Sequence, residues 1–212
     1  MLKIFTIRTF VFAVLLILTG CGEEKSEHEL RLIANKAMQN KSYNRAGKNY
    51  FKLWCNYPES NVDSLFNAAK AYAMAGKIKQ VFELLADYSL LSEDKTDEIY
   101  YVKALAYYNH IKTPLKNTDK ASKALKNLKQ ISYPLNKEQL KMLEYLENMI
   151  DYANLMHLRQ LLTTNPPSVL YALMWCQKQI KNRPNSLYRA HFKQIEQDLI
   201  NTLTISRAKI AI

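Results

Sequence analysis

The thiol of Cys21 is the side chain whose surroundings most clearly predict a chemical reaction. The chain opens with the cations Lys3 and Arg8, continues as an apolar run over 10–18, and reaches Cys21 through the small residue Gly20. This run is too short to span a bilayer, which needs about 20 residues, and it fits the core of a secretory signal peptide. A cysteine directly after such a segment offers a thiol that can accept an acyl chain.

The tetrapeptide Leu18-Thr19-Gly20-Cys21 resembles the bacterial lipobox, in which the cysteine is diacylated and becomes the mature N-terminus. The resemblance implies a lipoprotein signal peptide over 1–20, a lipidated tether over 21–26 and a folded domain over 27–212. Gly22 stands where inner-membrane lipoproteins of Gram-negative bacteria carry Asp, which implies sorting to the outer membrane with the domain facing the periplasm. An ordinary signal peptide, or a membrane anchor with a chance cysteine, is the alternative.

The other groups that could do chemistry are scattered. The four histidines are His28, His110, His157 and His191, and the chain contains no His-Glu-x-x-His, Cys-x-x-Cys, Gly-x-Ser-x-Gly or glycine-rich phosphate loop. The sequence therefore predicts no metal, no cofactor and no catalytic residue. Cys55 and Cys176 could pair in an oxidising compartment, but distant cysteines need not meet. Buried free thiols on helix faces are the favoured interpretation.

Glycine is scarce, with 4 among 212 residues, or about 2% where roughly 7% is usual. Tight β-hairpins and nucleotide-binding loops consume glycine, which disfavours an all-β sandwich and a doubly wound nucleotide binder. A hydrophobic content of 48% disfavours a disordered chain. The length suits one domain or a single repeat array.

Apolar residues recur at helical spacing along the domain, and prolines fall where helices would end. The pattern predicts helices at 27–40, 42–56, 61–75, 77–91, 96–112, 119–131, 136–163, 168–182 and 186–204. Three of the predicted helix ends contain proline and are followed by Ser60, Asn136 and Ser186. These side chains are expected to cap the next helix.

A period of 35 residues connects these helices. Ala34, Ala69 and Ala104 lie 35 residues apart, at positions where two helices must approach closely. The segments 43–58 and 78–93 share the spacing of the second helix of a tetratricopeptide repeat. The sequence therefore predicts an all-α right-handed superhelix of about five tetratricopeptide-like helix pairs, the last one incomplete. An irregular helical bundle is the alternative.

The lipobox and the repeats together resemble the outer-membrane assembly lipoproteins of the BamD type, also called ComL or YfiO. The segment 43–58 is similar to the first repeat of that family and 100–108 to its third, while 136–163 with the Arg-Pro-Asn-Ser end at 183–186 is similar to its fourth. The chain departs from the family at Pro166-Pro167, where the family has a small residue and glycine, and after 186, where it is short.

This resemblance implies a non-catalytic scaffold of the outer-membrane β-barrel assembly (BAM) complex. Such a scaffold aids the insertion of barrel proteins by binding the periplasmic domains of BamA, other lipoproteins of the complex and unfolded barrel proteins. It is held at the membrane through its lipid anchor and has no nucleic-acid partner. A pilotin-type lipoprotein, which escorts a secretin for pilus or secretion-system assembly, is the alternative function.

In a stack of helix pairs, the first helix of each pair lines the concave surface. The residues that the sequence nominates there are Arg31, Asn35, Asn67, Lys70, Tyr100, Lys103 and Tyr107. The resemblance adds Arg189 as a contact to BamA. Nine lysines also lie between 103 and 141 against two acidic residues. This excess favours acidic partner domains or anionic headgroups, with a solvated basic face as the simplest interpretation.

Overall fold

A computed structural model describes residues 25–92, 96–111, 113, 116–164 and 169–210, with only the backbone described for 164 and 206–210. Cys21 and the predicted signal peptide lie outside these residues. The described part of the chain is all helical and contains no strand. Its helices are α1 Glu27–Gln39, α2 Tyr43–Asn56, α3 Val62–Met74, α4 Ile78–Leu91, α5 Thr96–His110, α6 Thr118–Leu128, α7 Lys137–Thr164, α8 Val169–Asn182 and α9 Arg189–Ile210.

The predicted all-α class is confirmed, and each predicted helix is present. The largest difference is at α9, which begins at Arg189 rather than 186 and extends to Ile210 rather than 204. The prediction of α6 also runs too far, to 131 instead of Leu128. The predicted insertion at 113–118 lies partly outside the described residues.

Reciprocal side-chain caps begin two of the helices. At α1 the Ser26 hydroxyl accepts a hydrogen bond from the backbone N–H of Glu29 (3.3 Å), whose carboxylate accepts one from the backbone N–H of Ser26 (3.0 Å). At α7 the Asn136 side chain accepts from the N–H of Gln139 (3.0 Å), and the Gln139 side chain accepts from the N–H of Asn136 (2.9 Å). Both are capping boxes, and the predicted cap Asn136 is confirmed.

The other two predicted caps are wrong. Asn61, not Ser60, precedes α3, and its amide donates a hydrogen bond to the hydroxyl of Ser60 (2.8 Å). Ser186 accepts a hydrogen bond from the backbone N–H of Tyr188 (3.1 Å) and so forms a turn of its own. The helix α9 can begin only after that turn, at Arg189.

The turns that follow α1 and α3 have the same geometry at an offset of 35 residues. Each contains one residue of positive φ, Lys41 at 56° and Gly76 at 66°. In each turn the next residue donates its N–H to the carbonyl five residues back, at 2.8 Å and 2.9 Å, which is a Schellman ending. Gly76 is confirmed as a turn glycine, and its equivalent Lys41 adopts a conformation that is unfavourable for a residue with a Cβ.

Buried positions repeat with the same offset. The equivalent residues are Ala34, Ala69 and Ala104 in α1, α3 and α5, and Ala46 with Val81, Tyr50 with Leu85 and Leu53 with Tyr88 in α2 and α4. Consecutive helices from α1 to α7 pack against each other, α8 packs on α9, and α3 also contacts α5. The residues that repeat in the sequence are therefore the residues that hold neighbouring helices together.

The apolar core is divided into two clusters, and α7 belongs to both. Met142, Leu146 and Met149 pack into the first cluster with α1 to α6, whereas Leu155 and Leu158 pack into the second with α8 and α9. The 28 residues of α7 give it a length of about 42 Å at 1.5 Å per residue. One continuous helix thus connects the two packed regions.

Arg183 binds the turn after α8 to the middle of α7. Its guanidinium contacts the carboxylates of Glu147 (2.7 Å) and Asp151 (3.2 Å), and Lys129 from the end of α6 reaches the same Glu147 oxygen (3.3 Å). The Asp151 side chain is only 3% exposed, and Arg183 is its ion-pair partner. The network lies between the two clusters and joins α6, α7 and the turn before α9.

The two cysteines within the described residues are unpaired. Cys176 is buried on α8, and burial, with a smaller contribution from the Glu196 carboxylate, raises the pKa of its thiol to about 11. Cys55 is exposed, because Leu53 occupies the packed side of the last turn of α2. The prediction of buried free thiols is confirmed for Cys176 and wrong for Cys55.

The two positive-φ turn residues predict opposite responses to substitution. We expect Lys41→Gly to raise the free energy of unfolding by about 1 kcal/mol, because glycine tolerates this backbone region. Gly76→Ala should lower the free energy of unfolding by about 1–2 kcal/mol or more, since an added Cβ would also lie 2.9 Å from the backbone oxygen of Asn109. Urea unfolding followed by circular dichroism measures both changes. Destabilisation by Lys41→Gly would contradict the shared geometry.

The Arg183 network predicts that the protein becomes less stable when the carboxylates of Glu147 and Asp151 lose their arginine partner. We expect Arg183→Met to lower the free energy of unfolding by about 2–3 kcal/mol, below the 3–5 kcal/mol of fully buried pairs, because Arg183 and Glu147 are about a quarter exposed. Exposed Arg189 supplies the control, and Arg189→Met should change stability by less than about 0.5 kcal/mol. Adding Asp151→Asn and Glu147→Gln to Arg183→Met should recover part of the loss. Equal effects of the two arginine variants in urea unfolding would disprove the role of the network.

Candidate functional site

A cleft of about 380 Å³ between α4, α5 and α6 combines aromatic rings with lysines. Its lining residues are Phe82 of α4, Tyr100 and Tyr107 of α5, Lys123, Lys126 and Asn127 of α6, and Gln130 just after α6. None of them is acidic. We call this site the α4–α6 cleft.

The rings and cations of the α4–α6 cleft contact each other directly. Phe82 and Tyr107 meet edge to face with their ring centroids 5.6 Å apart. The Lys103 ammonium lies 5.5 Å from the centroid of Phe82 and 6.0 Å from that of Tyr100, and the Lys123 ammonium lies 5.9 Å from that of Tyr107. These distances are those of cation–π contacts. The rings therefore hold the ammonium groups in place beside the opening.

The helical register of α5 explains why three of these side chains share one side. Tyr100, Lys103 and Tyr107 are three and four residues apart, so they lie along one face of the helix. Leu105 is buried on the other side of α5, in the first cluster. Tyr100, Lys103 and Tyr107 are each half-buried.

This composition determines which ligands the α4–α6 cleft can accept. Lys123 and Lys126 are exposed and carry charge that attracts carboxylates or phosphates. The rings of Phe82 and Tyr100 offer apolar and edge-to-face contact to another ring, and Asn127 offers an amide. A ligand that carries both an anionic group and an aromatic or aliphatic group satisfies all of these features together.

Two of the predicted concave-face residues, Tyr100 and Tyr107, therefore line one site, and a third, Lys103, contacts the rings of Phe82 and Tyr100 beside it. Phe82, Lys123 and Lys126 belong to the same cleft but were not among the predicted site residues. The excess of lysine between 103 and 141 is the only sequence signal that marks Lys123 and Lys126. No signal in the sequence singles out Phe82.

Arg31 and Asn35 of α1 lie apart from the α4–α6 cleft and take part in internal polar contacts. The Arg31 guanidinium forms an ion pair with Glu27 (2.8 Å) and a hydrogen bond to the amide oxygen of Asn61. The hydrogen bond from this guanidinium is the main reason that the pKa of the Glu27 carboxyl lies below its ordinary value. The Asn35 side chain accepts a hydrogen bond from the Tyr50 hydroxyl (2.6 Å). Both residues thus connect α1 to its neighbours.

Asn67, Lys70 and Arg189 are exposed, but none of them lines the α4–α6 cleft. Asn67 and Lys70 lie on α3, and Arg189 is the first residue of α9. Their predicted contacts with partner proteins stay predictions. The predicted lipidation at Cys21 lies outside the described residues.

A second cleft, of about 460 Å³, lies between α7 and the turn that joins α8 to α9. It contains the exposed side chains Leu140 and Leu187 beside Glu144, Glu147 and Arg183. Two of its charged groups are already paired, since Arg183 neutralises Glu147. We therefore take the α4–α6 cleft, whose cations face no carboxylate in its lining, as the candidate functional site.

No protein-family model matches the chain, and no curated protein matches it in sequence. Within the described residues, no helix is both long enough and apolar enough to cross a bilayer. In the same residues no three His, Cys, Asp or Glu side chains gather as metal ligands do. The His110 imidazole instead contacts the backbone oxygen of Gly76 (2.9 Å).

The α4–α6 cleft predicts binding of a small aromatic anion. We expect anilinonaphthalene sulfonate to gain fluorescence on binding the folded chain, because its rings and sulfonate match the aromatic and lysine lining. Lys123→Glu with Lys126→Glu should remove at least about half of that gain, and added salt should weaken it further. Lys48→Glu with Lys52→Glu on α2 changes the net charge equally and serves as the control. Equal loss in both double variants would show that net charge alone attracts the dye.

Proposed function

We propose that this chain is a lipid-anchored, non-catalytic scaffold whose helix pairs form a right-handed superhelix of tetratricopeptide-like repeats. The observation that carries the proposal is the offset of 35 residues shared by the turns at Lys41 and Gly76 and by the buried positions of α1 to α5. Repeats of this kind bury a continuous core and leave an extended surface for binding other proteins.

The scaffold belongs, in this proposal, to the BAM complex and acts there as the BamD-type component. Its partners are the periplasmic domains of BamA, other BAM lipoproteins and unfolded outer-membrane proteins, and its place is the periplasmic face of the outer membrane. The lipobox at Cys21 and the repeat segments 43–58 and 100–108 support this assignment. The helix α9 follows the Arg-Pro-Asn-Ser turn at 183–186, which resembles the end of the family's fourth repeat.

The α4–α6 cleft gives the proposed scaffold a place to bind an extended segment. Its lysines favour a segment with acidic side chains, and its rings favour one that also carries aromatic or aliphatic side chains. Cation–π contacts order Lys103 and Lys123 before a ligand arrives, so binding costs little side-chain entropy at these positions. Surface contact of this kind requires no catalytic group.

Affinity capture from gently solubilised membranes tests the proposal. The tagged chain is expected to recover BamA, and its depletion is expected to lower the levels of outer-membrane barrel proteins generally. Lys123→Glu with Lys126→Glu should reduce the recovery of a partner that uses the α4–α6 cleft, whereas Lys48→Glu with Lys52→Glu should not.

Recovery of a secretin without BamA, together with a defect confined to piliation or secretion, would instead establish a pilotin and refute the BAM assignment. Recovery of BamA with unchanged amounts in the cleft variant would keep the scaffold and reject the α4–α6 cleft as its contact surface.

A further inference from the structure

The outward side of α8 carries large apolar side chains. Leu170, Tyr171 and Met174 are 58%, 57% and 62% exposed. On the opposite side of the same helix, Ala172 and Cys176 are buried in the second cluster. Leu170 and Met174 are one helical turn apart, so they form a continuous apolar stripe along the helix surface.

Cations continue this stripe towards the end of α8. Lys178 lies four residues after Met174, and Lys181 lies three residues after Lys178. This spacing places both lysines on the same face of the helix as Met174, and both are exposed. The helix contains no acidic residue. Among the residues that the structure describes, no carboxylate forms an ion pair with either lysine. We call Leu170, Met174, Lys178 and Lys181 the α8 stripe.

The absence of acidic side chains extends well beyond α8. Residues 152–195 contain six Lys or Arg and no Asp or Glu. Arg183 is the member of this set that is paired with carboxylates of α7. The sequence around the α8 stripe therefore carries a net positive charge, which favours an anionic surface as its partner.

The proposed lipid anchor would keep the domain close to such a surface. Ser26, the cap of α1, is only five positions after Cys21, and five positions of fully extended chain span at most about 17 Å. The domain therefore stays near the lipid headgroups whatever partner it binds.

We propose that the α8 stripe lies on an anionic phospholipid surface, with Leu170 and Met174 entering the interfacial region and Lys178 and Lys181 at the phosphates. A helix surface that exposes apolar side chains next to lysines, on a helix without acidic residues, can bury the apolar groups at the acyl boundary and attract anionic headgroups with the lysines. The inference rests on the membrane tether of the proposed function and not on the identity of the protein partner.

The two native tryptophans supply a direct test in the full chain. Trp175 lies on α8, four residues from Tyr171, and Trp54 lies on α2. Trp54→Phe leaves Trp175 as the only tryptophan, and Trp175→Phe leaves Trp54, so selective excitation of tryptophan reports on one position in each variant. Each variant is reconstituted into vesicles of brominated phosphatidylcholine and phosphatidylglycerol, because bromine on the acyl chains quenches only nearby rings.

We expect brominated chains to quench Trp175 at least about twofold more than Trp54. Leu170→Gln with Met174→Gln should remove most of this difference. Leu90→Gln with Leu91→Gln, at exposed positions of α4, should leave it unchanged. Lys178→Glu with Lys181→Glu, or omission of phosphatidylglycerol, should reduce the quenching of Trp175.

Equal quenching of Trp175 and Trp54 in vesicle-bound protein would overturn the inference and leave the tether intact. Quenching of Trp175 that survives Leu170→Gln with Met174→Gln would overturn the assignment to the α8 stripe. If the α8 variants lost a captured protein while Trp175 stayed unquenched, the stripe would be a protein-binding surface and the lipid proposal would fail. Failure of the chain to associate with vesicles at all would refute the tether itself.

Discussion

Alanine side chains at the helix crossings set the distance on which the rest of the structure depends. Ala34, Ala69 and Ala104 are completely buried, so the neighbouring helices come closer than larger side chains would allow. Gly47 likewise allows a close approach between helices, since a Cβ there would lie 2.9 Å from the ring of Tyr72. Because protein interiors are densely packed, a larger side chain at one crossing would tilt a helix. Each later helix in the array would then be displaced as well.

The sequence predicted what can be inferred within a single helix or from the 35-residue period. Apolar spacing and proline positions identified each of the nine helices in the described part of the chain, and Gly76 identified a turn. Lys41 was missed because lysine gives no local sign of positive φ, although its offset from Gly76 could have indicated it. The start of α9 was missed for a similar reason. Ser186 accepts a hydrogen bond from Tyr188, and a cap and a turn look the same in sequence.

The candidate site was only partly predictable because it is assembled from three helices. Tyr100, Lys103 and Tyr107 could be grouped in advance, since one face of α5 carries them all. Phe82 and Lys123 reach the α4–α6 cleft through the packing of α4 and α6, and the insertion in the sequence at 113–118 breaks the 35-residue period. The contact of Arg183 with Asp151 likewise joins residues 32 positions apart, and no local pattern specifies such a pairing.

The proposed arrangement also explains why the apolar surface of α8 is small. Three exposed apolar side chains and two lysines would bind a membrane weakly from solution, because the loss of overall motion opposes the contact. Once an acyl anchor holds the N-terminus, the second contact becomes intramolecular and takes place at a high effective concentration of lipid. A larger apolar face would add little to membrane binding and would expose the chain to aggregation before it reaches the membrane. The same argument applies to the α4–α6 cleft. A partner confined to the same membrane requires only modest affinity, and a modest, charge-dependent contact can release an unfolded segment as readily as it binds one.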